Sequence, residues 1–213
     1  MPLVADPEAC VAYVNQVGMC TWRHQPRLEG FPSLENATQW RGAELTNATW
    51  FWKDDLHIDR RLYFGMLIAP DIPLFVSLDL LPALIAAQGD IDPRTLFERG
   101  LLAPNALKVY EHVQRAGPTA TAAMPWPAGS RMLYLAALQQ KFLLTKYDLT
   151  GRTRGTYGYR WHLCEEVFAA SFEEAARLQV TAARERITEH LRGHTPDITL
   201  DRAARMFRWQ PSP

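Results

Sequence analysis

The stretch that most constrains how this chain can fold runs from Pro104 to Leu163. Its first part, PNALKVYEHVQRAGP, sets Leu107, Val109, Tyr110 and Val113 at the spacing of one buried helical stripe. Pro104 and Asn105 are start signals for that helix, and Gly117-Pro118 is a stop. Thr119 to Met124 predicts a short second helix before Pro125-Trp126-Pro127, and Gly129-Ser130 the cap of a third. Along that third helix Met132, Leu135, Ala136 and Leu138 make an apolar face, while Arg131, Tyr134, Gln139 and Gln140 make a polar one. Phe142 to Leu149 then alternates as a strand, and Tyr157 to Leu163 is its antiparallel partner across a basic, glycine-containing turn.

Helical segments followed by a β-hairpin in this order outline a winged helix-turn-helix. A helix fits the major groove, where Arg and Gln pair with base edges, so Arg131, Tyr134 and Gln139 are expected to meet double-stranded DNA. Arg152 and Arg154, in the hairpin loop or wing, are expected to reach its phosphates. Charge favours the same place: residues 129–163 hold six Lys or Arg against the single acid Asp148. A solvent-facing hairpin in a neutral domain is the plainer explanation of those charges.

The 213 residues, 47% of them hydrophobic, can bury one large core or two small ones. Formal charge is zero, yet residues 1–100 carry eight basic and thirteen acidic side chains, and residues 101–213 fifteen and ten. The expected fold is mixed α/β of the α+β kind. A helix-rich region with short strands spans 1–100, a winged helix with a long packing helix spans 101–192, and a tail spans 193–213. The packing helix is read from FEEAARLQVTAARERITEHLRG, whose Phe172, Val180, Ala183, Ile187 and Leu191 share one face. A monomer or a homodimer built on that face is expected.

Cys10, Cys20 and Cys164 lack CxxC spacing and read as separate, packed, reduced thiols of a cytoplasmic protein. The beginning, MPLVADPEA, lacks the pattern of a signal peptide, and no run of apolar residues is long enough to span a membrane, so no membrane partner is expected.

The acidic half has its densest chemistry at WFWKDDLHIDRR. Read as an extended segment, Trp50 to His57 puts Lys53, Asp55 and His57 on one face and Asp54 on the other with Trp52 and Leu56. An Asp near a His can orient a base. An ion-paired surface or domain interface uses the same residues. Asp55, His57 and Asp59 are of metal-ligand type but lack a ligand-spacing signature, so neither metal nor other cofactor is expected.

Several segments in order, VAYVNQVGMC, FPSLENA, WFWKDDLHIDRRLYFGMLI, PLFVSLDLLPAL, AGPTATAAM and LYLAALQQKFLLTKYDLTGRTRGTYGYRWHL, resemble the short winged-helix proteins related to the AlkZ/YcaQ DNA glycosylases. The resemblance covers roughly residues 8 to 192 and implies recognition of damaged DNA. The full-length glycosylases carry a Gln-aliphatic-Gln motif in their catalytic site. This chain has no Gln-x-Gln, and Gln139-Gln140 is adjacent rather than alternating, so that role is not carried over. If a glycosylase chemistry is nonetheless present, Asp54 or Asp55 is expected to stabilise an oxocarbenium-like state and His57 to manage water. Trp22, Trp50 or Trp52 is then expected to stack on an extruded base. A DNA-binding module without catalysis and a protein-interaction scaffold are the alternatives.

Overall fold

The computed structural model describes residues 3–68 and 72–210. Residues 1–2, 69–71 and 211–213, including the start of PDIPLFV and the end of the expected tail, lie outside the described residues.

Asp6 opens α1 (Pro7–Val17) by accepting from the Ala9 N–H at 2.7 Å, and Gly18 ends it at φ 69°. A side chain at Gly18 would meet the His190 ring at 2.4 Å, so both its conformation and its surroundings require glycine. There follow β1 (Met19–Thr21), α2 (Leu34–Ala37) capped by Ser33, α3 (Gly42–Thr49), α4 (Trp52–Ile58), β2 (Tyr63–Ile68) and β3 (Ile72–Val76). The extended reading of Trp50 to His57 is therefore wrong. Leu56 and His57 both need the interior, as do Lys53 and Asp54, and only a helix brings these four to one side. Asp54 and Asp55 in its first turn also suit the helix dipole. The first sheet is antiparallel in the order β1-β3-β2, with Met19 opposite Val76 and Gly65 opposite Leu74.

Helix α5 (Leu81–Ala87) has Pro82 in its first turn. Asp92 caps α6 (Pro93–Glu98), and α7 (Pro104–Ala116) ends at Gly117 as its sequence predicts. The expected second helix at Thr119–Met124 is instead β4 (Thr119–Ala120) and one 3-10 turn (Thr121–Ala123). Between two proline-containing breaks the segment is too short to nucleate an α-helix, whereas Thr119 gains a strand partner in Trp161. Helix α8 (Ala128–Gln140), β5 (Leu144–Gly151) and β6 (Gly158–Leu163) complete a second antiparallel sheet of order β4-β6-β5.

The rest is helical: α9 (Cys164–Val167), α10 (Ala169–Ala175), α11 (Val180–Arg192) and α12 (Leu200–Phe207). The single long helix expected here is two, because Gln179 is extended and the chain turns at residues 176–179. The break lets α10 and α11 each pack on α5, which one straight rod could not do. The three cysteines are buried and unpaired. The largest core cluster draws on both sides of residue 100, joining Met19, Leu74 and Leu84 to Phe142, Ile187 and Phe207. Contacts of β2 with α8, and of α4 with β5, hold the two sheets together and define the space between them.

Candidate functional site

Between the two sheets lies a cavity of about 200 Å³. Helix α8 supplies Met132, Ala136 and Gln139 to it, residues whose spacing puts them on one helical face. Strand β6 supplies Tyr159 and Trp161 by its two-residue period, and β2 supplies Phe64 and Met66. Trp22, Pro73, Lys53 of α4 and Lys146 of β5 complete the lining. Lys146 is aimed inward by a bulge. It lies opposite Trp161 while Asp148 lies opposite Arg160, which leaves Tyr147 between them unpaired and turned outward. Gly65 permits the close approach of α8, since a Cβ there would sit 2.9 Å from the Gln139 amide carbon.

One wall of the cavity is backed by a saturated polar network. Lys53 Nζ donates to Asp54 Oδ2 at 2.7 Å, to the Tyr157 hydroxyl at 2.7 Å and to the Tyr159 hydroxyl at 3.2 Å. The Tyr157 and Tyr159 hydroxyls in turn reach Asp54 Oδ2 at 2.7 Å and Oδ1 at 3.0 Å. The Trp50 ring covers the ammonium at 4.3 Å. Burial pulls the Lys53 pKa below its ordinary value, and Asp54 opposes that pull. Burial and the Asp54 charge push the Tyr159 phenol up, so it stays protonated.

The other polar groups at the cavity are not saturated. Lys146 is buried, and its Nζ has no hydrogen-bond acceptor or ion-pair partner among the described residues, only the Phe64 and Tyr159 rings, each at 4.6 Å. Burial lowers its pKa to about 7, with Asp54 acting against the shift and Lys53 with it. Gln139 is 1% exposed. Its Oε1 accepts from the Met66 N–H at 3.0 Å, but its Nε2 is buried with no partner among the described residues. A buried amide N–H and a lysine amine at the cavity, both without acceptors among the described residues, are what a ligand with an acceptor atom would complete.

The residues singled out from sequence are distributed unevenly. His57 is fully buried in a structural role: Nδ1 accepts from the Phe64 N–H at 2.9 Å, so Nε2 carries the hydrogen and faces the Lys146 carbonyl at 2.9 Å. Burial keeps it neutral, and with both nitrogens occupied it cannot manage a catalytic water. Asp54 sits inside the network above, whereas Asp55 is outside it in a two-pronged pair with Arg152. The three acids and bases therefore do not converge on one point. Trp22 lines the cavity and packs against Trp50 at 5.7 Å, but Trp52 lies elsewhere against Trp40.

On α8 the solvent-facing polar stripe does not form as expected. Gln139 and Gln140 are buried, while Met132 and Leu133 are 50% and 68% exposed. Arg131 donates to the Thr121 carbonyl at 2.7 Å and to that of Trp126, and Tyr134 accepts from Asn105 at 3.1 Å. Arg154 is exposed, with no hydrogen bond or ion pair among the described residues. Sequence reasoning missed Lys146, Tyr157, Tyr159 and Trp161 as a group. The alternation of the last three along a strand was the available signal; nothing local marks the bulge that brings Lys146 to them.

Among the described residues no group of three His, Cys, Asp or Glu could hold a metal ion, and no helix is long and apolar enough to cross a membrane. Fold and cavity together define a mixed α/β protein with an interior ring-sized site lined by aromatic rings and lysines. The family model described as AlkZ related matches residues 4–208, and the chain belongs to that family. Membership suggests a function associated with DNA repair. No curated protein and no solved structure matches the chain.

Proposed function

We propose that this protein binds double-stranded DNA and recognises damage by holding a base, displaced from the stack, in the cavity between its sheets. The cavity carries this reading. Its volume of about 200 Å³ compares with the roughly 150 Å³ in which a dry apolar cavity accepts one benzene. Trp22, Tyr159 and Trp161 offer ring faces for stacking, and the unpartnered Gln139 Nε2 offers a donor for an acceptor on the base edge. Met132 stands on α8 both at the cavity and in solvent, so a base can enter beside that helix. The succession α7, β4, α8, β5, β6, with β6 central in its sheet, fits a winged helix whose hairpin loop brings Arg152 and Arg154 to the backbone. In this reading Arg131 and Tyr134 position α8 through their contacts with neighbouring segments, and Gln139 meets only a displaced base.

The test is fluorescence anisotropy with intact, mismatched and alkylated duplexes over a salt series, with the same samples examined for abasic product. Binding should be salt-dependent and tighter for the damaged duplexes. Replacing Arg152 and Arg154 together by Ala should lower the salt slope by about 1–2. Ala136→Phe, which fills the cavity, should abolish the preference for damage while sparing binding to intact DNA. Absence of binding to every duplex at low salt would overturn the proposal, and a preference untouched by Ala136→Phe would remove the cavity from it. Released base in the same samples would assign base excision to the protein; none would define a recognition module.

A further inference from the structure

We propose that Lys146 is a nucleophile whose Nζ condenses with the carbonyl carbon of an aldehyde seated in the cavity between the sheets. The inference shares the cavity with the DNA-binding reading but does not depend on DNA. It begins from the fate of each lysine. The chain has four: Lys53, Lys108, Lys141 and Lys146. Lys108 is exposed. Lys53 is ion-paired to Asp54 at 2.7 Å, and Lys141 donates to the Arg208 carbonyl at 2.9 Å and to Gln88 Oε1 at 3.3 Å. Among the four, Lys146 is the buried one whose Nζ has no acceptor among the described residues, and it faces a cavity large enough for one ring.

An amine so placed carries the lone pair that a nucleophile needs. Desolvation in an apolar pocket and a neighbouring cation are the two recognised ways to activate a lysine toward carbonyl carbon, and both act here. The charged and titratable groups nearby are Lys53, Asp54 and the neutral His57 on α4 and Tyr159 on β6; Asp54 partly offsets the two activating effects. With an ionisation near 7, close to half of Lys146 is neutral at neutral pH. An ordinary lysine holds only about one part in a thousand neutral there.

The step balances without any other reactant. The Nζ lone pair adds to the carbonyl carbon and the C–O π electrons move to oxygen. The proton lost from nitrogen is returned to that oxygen, giving a carbinolamine. The second nitrogen proton is then lost as the C–O bond breaks, water departs and C=N forms. Amine and aldehyde become imine and water, with nothing oxidised or reduced. The aromatic and aliphatic walls limit water, which otherwise reverses the condensation. The aldehyde is either a small free one or the ring-opened sugar of an abasic site in DNA; both present the same carbon.

The experiment uses the full chain with two probes, each under sodium cyanoborohydride, which reduces an imine to a stable secondary amine. Benzaldehyde at pH 7.5 should label Lys146 at least about tenfold faster than Lys108, read by peptide mass mapping, which also separates any reaction of the α-amine. Labelling of Lys146 should rise with pH through about 7 and then level. Lys146→Met and Lys146→Arg should lose that label and keep the wild-type circular dichroism spectrum. If neither variant folds, the map of the wild-type protein decides by itself. The second probe is a duplex with one abasic site. Trapping of both probes on Lys146 assigns a DNA aldehyde, and trapping of benzaldehyde alone assigns a small free aldehyde. A label at Lys146 no faster than at Lys108, or trapped DNA that persists in Lys146→Met, overturns the inference. Failure of the DNA reading would leave the benzaldehyde result unchanged.

Discussion

Two regions of the interior hold buried polar side chains, and they satisfy them to different extents. Between α5, α11 and α12 most buried donors end on a carbonyl or amide oxygen, the exception being Trp209 Nε1, which has no partner among the described residues. Arg184 donates to the Ala87 and Gln210 carbonyls at 2.9 and 2.8 Å, Gln88 to that of Phe207 at 3.2 Å, and Lys141 to that of Arg208 at 2.9 Å. Ala87 and Phe207 close α5 and α12, so these side chains occupy carbonyls that helix ends leave without an intrahelical partner. Around the cavity, donors outnumber acceptors: Lys146 Nζ and Gln139 Nε2 have none among the described residues. The first region solves a problem of folding. The second leaves its imbalance beside an empty volume, which is how a binding site differs from a packed polar core.

The largest effect that can break this comparison lies at Asp54. Asp54→Asn removes the only carboxylate of the network and leaves the Lys53 ammonium buried without its counter-charge. Unfolding by urea should show a loss of about 3–5 kcal/mol. Lys53→Met in the Asp54→Asn background should recover most of it, because the uncompensated charge is then gone. A loss under about 1 kcal/mol would mean that water reaches this pair, and the distinction between saturated and unsaturated walls would fail.

Lys146→Met should act in the other direction, raising stability by about 1–4 kcal/mol at pH 7. The folded amine ionises near 7 and the unfolded one at its ordinary value of 10.5. Between those limits the unfolded chain binds the extra proton, so wild-type stability rises with pH. Buried thiols such as Cys10 and Cys164, whose pKa values are raised, reverse the trend once free cysteine begins to ionise at about 8.5. The clean window is therefore about pH 7 to 8.5, where denaturation midpoints should climb more steeply for the wild type than for Lys146→Met, which keeps the smaller contributions of Lys53 and Lys141. Equal slopes would show that Lys146 has a partner and is not strained.

These contrasts were only partly legible in the sequence. The cap at Asp6, the stops at Gly18 and Gly117, and the paired strands β5 and β6 act within a few residues, so local chemistry announces them. The segment Trp50 to His57 misleads because its polar residues are wanted inside. Lys53, Asp54 and His57 are buried by partners about a hundred residues away, at Tyr157 and Lys146. A pattern of hydrophobic and polar letters cannot encode that. For the same reason Gln139 reads as a solvent-facing base reader until Gly65 and Met66 are seen against it.

The smallest effect tests whether the two regions are independent. Gln88→Ala strips one donor from the Phe207 carbonyl and one acceptor from Lys141, which keeps its bond to Arg208. Thermal or urea unfolding should show a loss of about 1–3 kcal/mol, the cost of a buried carbonyl left unpaired. Aldehyde labelling of Lys146 and the anisotropy of damaged DNA should not change under conditions where the variant is folded. A physical link between the regions does exist. Gln139 enters the cavity, Gln140 accepts from Arg208 at 3.2 Å and donates to the Leu67 carbonyl at 3.4 Å, and Lys141 enters the other cluster. These three consecutive residues end α8 and turn into β5, so a shift at Gln88 has one short route to the cavity. If Gln88→Ala alters the labelling rate severalfold, that route carries strain, and the cluster between α5, α11 and α12 is tuning the site rather than only holding the helices around it.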